Sequence, residues 1–133
     1  MNKIEDKIKI IPRNIISDKR GWFLKTIDGK ESYNPFQCEV YITSAKPGES
    51  KGGHYHIKAN EWFTLLIGEA RLELMDLETN ERSTLYLLAH EPQTIYVPTG
   101  IAHEFVNIGN TSFILLAFTD QQFVPSDTVQ FVF

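Results

Sequence analysis

The chain has 133 residues, a formal charge of −4 and an isoelectric point near 5.5. That length holds one domain with a genuine core, and the acidic balance excludes a general binder of nucleic acid or of a membrane surface, since either needs a basic face. Cys38 is the only cysteine, so no internal disulfide forms, and the charged segment behind Met1 contains neither a signal-like apolar run nor a spanning stretch; a cytoplasmic protein is expected.

In chain order, residues 1–6 read as a flexible leader and 7–133 as a single domain. Ile8 to Ile11 is predicted as a first strand stopped by Pro12, Asp18-Lys19-Arg20-Gly21 as a turn, and Trp22 to Ile27 as a second strand. Phe36 to Ser44 alternates, with Cys38, Val40 and Ile42 on one face and Gln37, Glu39, Tyr41 and Thr43 on the other. Glu69 to Leu74 alternates strictly, so Ala70, Leu72 and Leu74 face a core, and Arg82 to Leu88 returns as its hairpin partner. Gln93 to Val97, Glu104 to Asn107 and the apolar run Phe113 to Phe118 follow, with Val129 to Phe133 as a last strand. Short strands with turn signals every eight to twelve residues, and no sustained 3.6-residue period, predict an all-β, single-domain, double-stranded jelly roll. An apolar strand at the tail is an exposed edge that a second copy would cover, which makes a homodimer the expected state. Trp22, Trp62, Phe63 and Phe118 read as core, Cys38 as a small buried hydrophobe and His90 as a surface loop residue.

The chemistry concentrates between Gly48 and Gly68. On a strand, His54 and His56 share a face. Glu61 lies too far along for the same strand, but a hairpin-like return at Lys58-Ala59-Asn60 brings its carboxylate opposite. Pro98-Thr99-Gly100 makes a tight turn ahead of His103, which supplies a fourth ligand. Three imidazoles and one carboxylate suit Zn, Fe, Ni or Mn; no organic cofactor is expected.

The spacings Gly-x5-His-x-His-x4-Glu-x6-Gly and Pro-x-Gly-x2-His-x3-Asn resemble the two defining motifs of the cupin superfamily, with Pro92 where a glycine normally opens the second. Asp18-x-Arg20-Gly21-x-Phe23 is similar to the opening motif of dTDP-4-dehydrorhamnose 3,5-epimerases and of dTDP-4-keto-6-deoxyhexose 3,4-ketoisomerases. Lys51-Gly52-Gly53-His54-Tyr55-His56, Asn60-Glu61-x-Phe63 and Pro125-Ser126-Asp127-Thr128 resemble the C-terminal cupin of capsular-polysaccharide epimerase/reductases. The resemblance implies a sugar-nucleotide epimerase or ketoisomerase acting on a nucleotide-linked 4-keto-6-deoxyhexose in polysaccharide precursor synthesis. It gives Arg20 contact with the substrate's phosphates and matches His54 and the Val40-Tyr41 element to catalytic positions; Lys46, Lys51 and Lys58, clustered beside the first motif, are placed to steer a diphosphate. Leu116 stands where rhamnose-type epimerases carry a tyrosine proton donor, which argues against double epimerisation by their mechanism.

Both reactions remove a proton beside a ketone, so they need a base, an acid and positive charge at the developing oxyanion. A histidine whose lone pair is on a metal cannot take a proton, so His54 is either ligand or base. With an ion bound, the base comes from Tyr41, Tyr55, Tyr96 or Glu104, of which Tyr41 fits the spacing best. Two other readings compete: a metal-dependent oxygenase or small-molecule isomerase, and a sugar-binding cupin without catalysis.

Overall fold

The structure is a computed structural model that describes residues 4–133. One helical turn, α1 (Ile4–Lys7), precedes eleven strands: β1 (Ile15–Ser17), β2 (Gly21–Ile27), β3 (Glu39–Ala45), β4 (Ser50–His56), β5 (Glu61–Ile67), β6 (Glu69–Asp76), β7 (Arg82–Leu88), β8 (Thr94–Val97), β9 (Ile101–Asn107), β10 (Phe113–Thr119) and β11 (Thr128–Gln130). A 3-10 turn at Pro125–Asp127 is the other helical piece among the described residues. None of these helices is long and apolar enough to cross a membrane.

The strands form two antiparallel sheets, in the orders β1-β2-β3-β10-β5-β8 and β11-β4-β9-β6-β7, packed face to face as a double-stranded jelly roll. Between them Phe63, Leu65, Leu72, Phe105, Phe113 and Leu115 are buried. The β6–β7 hairpin forms as its alternation predicts, and Ala70 and Leu72 are fully buried.

Four expectations change. Ile8 to Ile11 forms no strand; Ile8 and Ile10 are 50% and 87% exposed, because the sheet edge is taken by β1, which pairs with β2. The strand expected from Phe36 starts only at Glu39, after Gln37 takes a left-handed turn conformation (φ 56°). The tail is strand only over Thr128–Gln130, where β11 edges β4; Phe131 N still donates to the Gly53 carbonyl at 2.9 Å, and the rings of Phe131 and Phe133 meet edge to face with centroids 4.7 Å apart. Of the four aromatics read as core, Phe63 alone is buried, whereas Trp22, Trp62 and Phe118 sit on the outer face of the six-stranded sheet. Residues 1–3 of the expected flexible leader lie outside the described residues.

Candidate metal centre

β4 carries His54 and His56, β9 carries His103 directly across from His54, and β5 in the opposite sheet carries Glu61. The hairpin-like return expected before Glu61 does not form. Residues 57–60 instead cross from one sheet to the other, because aspartates bind their backbone amides. Asp127 accepts hydrogen bonds from the Lys58 and Ala59 amides at 2.6 and 3.2 Å, and Asp120 from Asn60 N at 2.9 Å and Asn60 Nδ2 at 3.0 Å. The carboxylate of Glu61 therefore reaches the histidines across the sandwich.

The β4–β9 pairing contains a bulge between Gly52 and His54. Gly52 sits at φ +96°, and a Cβ there would lie 2.7 Å from the His103 carbonyl oxygen. The extra residue changes the strand's parity, so that Lys51 points into the same cavity as His54 and His56 although it lies an odd number of positions before each. Strict alternation would have sent Lys51 outside.

One ligand atom from each of His54, His56, Glu61 and His103 falls within 4.8 Å of the others. Glu61 Oε1 lies 2.6 Å from His56 Nε2 and 3.5 Å from His103 Nε2, yet none of these three buried atoms has an aligned hydrogen-bond partner. Buried polar atoms are rarely left so, and three of them converging beside a fourth imidazole match the donor set of a divalent transition metal. The outer contacts fix the rings for that purpose. His103 Nδ1 donates to the Ile101 carbonyl at 3.0 Å, which turns the Nε2 lone pair to the centre. His56 Nδ1 faces Thr128 Oγ1 at 3.4 Å and Asp127 Oδ2 at 3.5 Å.

The electrostatics are strongly coupled. Burial, with His103 and His56 as neighbouring positive charges, pushes the His54 imidazole down to about 4. Burial also opposes charge on His56, but the Glu61 and Asp127 carboxylates outweigh it and raise its pKa. For Glu61 burial favours the neutral acid, and its contacts with His103 and His56 overcome this, holding it at about 2. The Tyr41 hydroxyl donates to Glu61 Oε2 at 3.1 Å. Burial and the Glu61 charge push its pKa well above the usual phenol value, so Tyr41 is a phenol that gives rather than takes a proton in the resting site.

The cluster sits at the base of a cavity of about 630 Å³, whose apolar wall includes Phe63, Phe105 and Leu115. Arg20 and Lys51 both line it. Arg20 is held by Asp18, with Nη2 2.9 Å from Oδ2, and both side chains are near half exposure. Lys51 is only 8% exposed and donates one long hydrogen bond, 3.4 Å, to the Trp22 carbonyl; burial and the charge of Arg20 lower its pKa. Of the four candidate bases, Tyr41 alone lines the cavity, while Tyr55, Tyr96 and Glu104 do not. Asp127 and Asp120 were given no role by the sequence reading. The signal available for Asp127 was its place in Pro125-Ser126-Asp127-Thr128.

Residues 16–131 match the family model described as the polysaccharide biosynthesis C-terminal domain. The chain belongs to this family. It is 26% identical over 125 residues to the spore coat polysaccharide biosynthesis protein SpsL of Bacillus subtilis (strain 168), covering 90% of this chain and 83% of SpsL. It is 23% identical over 107 residues to the UDP-2-acetamido-2,6-beta-L-arabino-hexul-4-ose reductase of Pseudomonas aeruginosa, covering 80% of this chain but 27% of the reductase. Among solved structures, the capsular polysaccharide assembling protein CapF of Staphylococcus aureus superimposes with a TM-score of 0.83 at 25% identity, over 93% of this chain and 34% of CapF. The chain thus spans most of SpsL but only about a third of the longer relatives. Oxalate decarboxylase of B. subtilis, at 23% identity and a TM-score of 0.74, shares the fold. The fold is the cupin jelly roll, and the family is one of polysaccharide biosynthesis.

Proposed function

We propose that this polysaccharide-biosynthesis cupin is an isomerase, an epimerase or 3,4-ketoisomerase, of a nucleotide-linked 4-keto-6-deoxyhexose. The observation that carries the reading is the convergence of His54, His56, Glu61 and His103 at the base of a cavity that also holds Tyr41, Lys51 and Arg20. SpsL, the Pseudomonas reductase and CapF support polysaccharide precursors as the substrate class. A divalent ion held by the four ligands would supply Lewis-acid stabilisation of an enolate oxygen; the donor set fits Zn, Fe, Ni or Mn.

The protein's own groups account for the rest. Arg20 and Lys51 place two positive charges along one wall of the cavity, fitted to a diphosphate and leaving the sugar nearest the ligand cluster. Tyr41, anchored on Glu61, donates a proton to the carbanion, and the proton removed beside the ketone goes to His54 where that imidazole is free of the ion. The apolar wall of Phe63, Phe105 and Leu115 keeps water from the intermediate.

A second reading rests on one difference among the ligands. The unpartnered buried atoms belong to His56, Glu61 and His103 but not to His54. In that reading those three residues hold the ion, and His54 is the base. His54→Gln separates the two: a lost ion means a ligand, whereas retained ion with lost exchange means a base.

The decisive experiment incubates the protein, loaded with each of the four metals in turn, with UDP- and dTDP-linked 4-keto-6-deoxyhexoses in deuterated water. Deuterium should enter the sugar beside the ketone without oxygen consumption. Oxygen uptake would instead point to an oxygenase, and tight binding without exchange to a sugar-binding protein. Arg20→Ala should raise KM with little change in kcat.

A further inference from the structure

Two adjacent glycines stand directly before His54, with φ +96° at Gly52 and +78° at Gly53. Gly52 lies opposite Glu104 and His54 opposite His103, so Gly53 is the bulged residue without a partner on β9. A glycine pair has no side chain to select one conformation, and glycine-rich strands hold their register weakly. The constraint has to come from neighbours. β9 confines Gly52 through the His103 carbonyl, but Gly53 turns to the outer face of the sheet. There an added Cβ would lie 2.9 Å from Glu104 Oε2 and 3.5 Å from the Phe131 carbonyl oxygen.

The tail supplies the outer stop. β11 pairs with β4 as far as Gln130, opposite His54, and one residue further on Phe131 N donates to the Gly53 carbonyl at 2.9 Å. That carbonyl belongs to the planar peptide unit from which His54 hangs, so the bond sets the tilt of the unit. Phe131 is held in turn from the far edge of the same sheet. The Arg82 guanidinium, on β7, sits over the Phe131 ring at 5.8 Å and over the Phe133 ring at 5.9 Å, and β9 and β6 lie between these two anchors. Met75 of β6 pairs with Arg82 on one side and with Ala102 on the other. Ala102 points outward, since His103 beside it lines the cavity, yet it is completely buried, as a covered face requires.

We infer that Phe131 and Arg82 are positioning residues for the metal centre: from the back of the five-stranded sheet they hold the bulge and so set the aim of His54. Neither of them lines the cavity. The three imidazoles differ in what supports them. His56 has Thr128 and Asp127 at its Nδ1, and His103 has the Ile101 carbonyl. The His54 ring meets the other two imidazoles at 5.0 and 4.9 Å but makes no hydrogen bond among the described residues. Ligating histidines are ordinarily fixed by an outer contact of the ring, so His54 depends on its backbone instead. Site groups must be held within about 0.5 Å and 10–20° of the working geometry, and a glycine hinge without an outer stop exceeds that range. The inference rests on the reading of His54 as a ligand.

Co(II), whose visible absorption reports its ligand geometry, is the probe. Arg82→Ala and Phe131→Ala should each lower the affinity of the full chain for Co(II) about 10-fold and shift the absorption bands of the bound ion. Phe131→Tyr, which keeps the ring, should restore both. Arg82 is exposed, and a cation–π contact there adds little to overall stability, so its variant folds. Tyr86→Ala, at a 67% exposed position on the same sheet, should change nothing. Amide exchange in the ion-free protein gives a second readout: in both alanine variants it should quicken at Gly53 and His54 and stay unchanged at His103. His54→Gln tests the ligand reading by itself; if that variant keeps the ion, the reading falls and the proposal stands or falls on exchange alone. Unchanged exchange at Gly53 and His54 overturns the proposal. So do wild-type Co(II) affinity and spectrum in both alanine variants where His54→Gln loses the ion, or a Tyr86→Ala effect as large as that of Arg82→Ala.

Discussion

At the packed end of the sandwich, Leu65 of β5, Leu72 of β6 and Phe113 of β10 fill the space between the sheets; at the open end, β5, β9 and β10 present Glu61, His103 and Thr119. The backbone pattern is the same at both ends, with every second residue facing in. What differs is how far each inward position lies from the mouth. The packed end supplies stability, and the open end uses some of it to hold His56 Nε2, His103 Nε2 and Glu61 Oε1 close together without hydrogen bonds between them. Phe63 and Phe105, which belong to the core and also line the cavity, join the two; their rings lie 4.8 Å apart, and that of Phe63 lies 5.4 Å from His103.

If the ends divide labour in this way, Phe113→Ala should cost about 3–5 kcal/mol of stability in urea denaturation, while the folded fraction still binds one equivalent of metal. A parallel loss of metal would mean that the ends cannot be separated. Gly52→Ala should cost about 1–3 kcal/mol, because its φ and the nearby His103 carbonyl leave no room for a side chain; the bulge shifts and Lys51 leaves the cavity, which appears as a raised substrate KM. Asp127→Asn strikes only the open end. It should weaken metal binding about 10–100-fold in chelator competition, with a melting temperature nearer to wild type than that of either packing variant.

The smallest effect lies outside both ends. Glu31 is clamped by Arg13 at 2.7 and 2.8 Å, and that guanidinium holds its carboxyl at about 2, against an ordinary value of 4.5. A depressed carboxyl pKa adds stability that is complete above about pH 4.5 and is lost as the pH falls towards about 2. Melting curves between pH 6 and 2.5 should show a shallower acid limb for Glu31→Gln. An unchanged limb would place the acid sensitivity in the open-end carboxylates.

The ligands were legible in the sequence because period-two spacing and a Pro-Gly turn fix which way His54, His56 and His103 point. The route of Glu61 was not. Spacing shows that the chain turns at residues 58–60, but not that it changes sheets, which depends on Asp120 and Asp127, sixty or more residues ahead, binding those amides. Lys51 escaped strict alternation for a local reason, since a bulge leaves no mark beyond two adjacent glycines. Ile8 and Ile10 have the composition of a strand but no neighbour to pair with. Trp62 and Phe118 have the composition of a core, and only the sheet's register shows that they face out.

Asp127 touches His56 and holds the 58–59 amides from a 3-10 turn made long after all four ligands. Translation therefore delivers the imidazoles and the carboxylate well before the residue that sets their spacing. A growing chain carries the four donors before Asp127, so any ion the completed site selects would be chosen only once residues 125–128 dock.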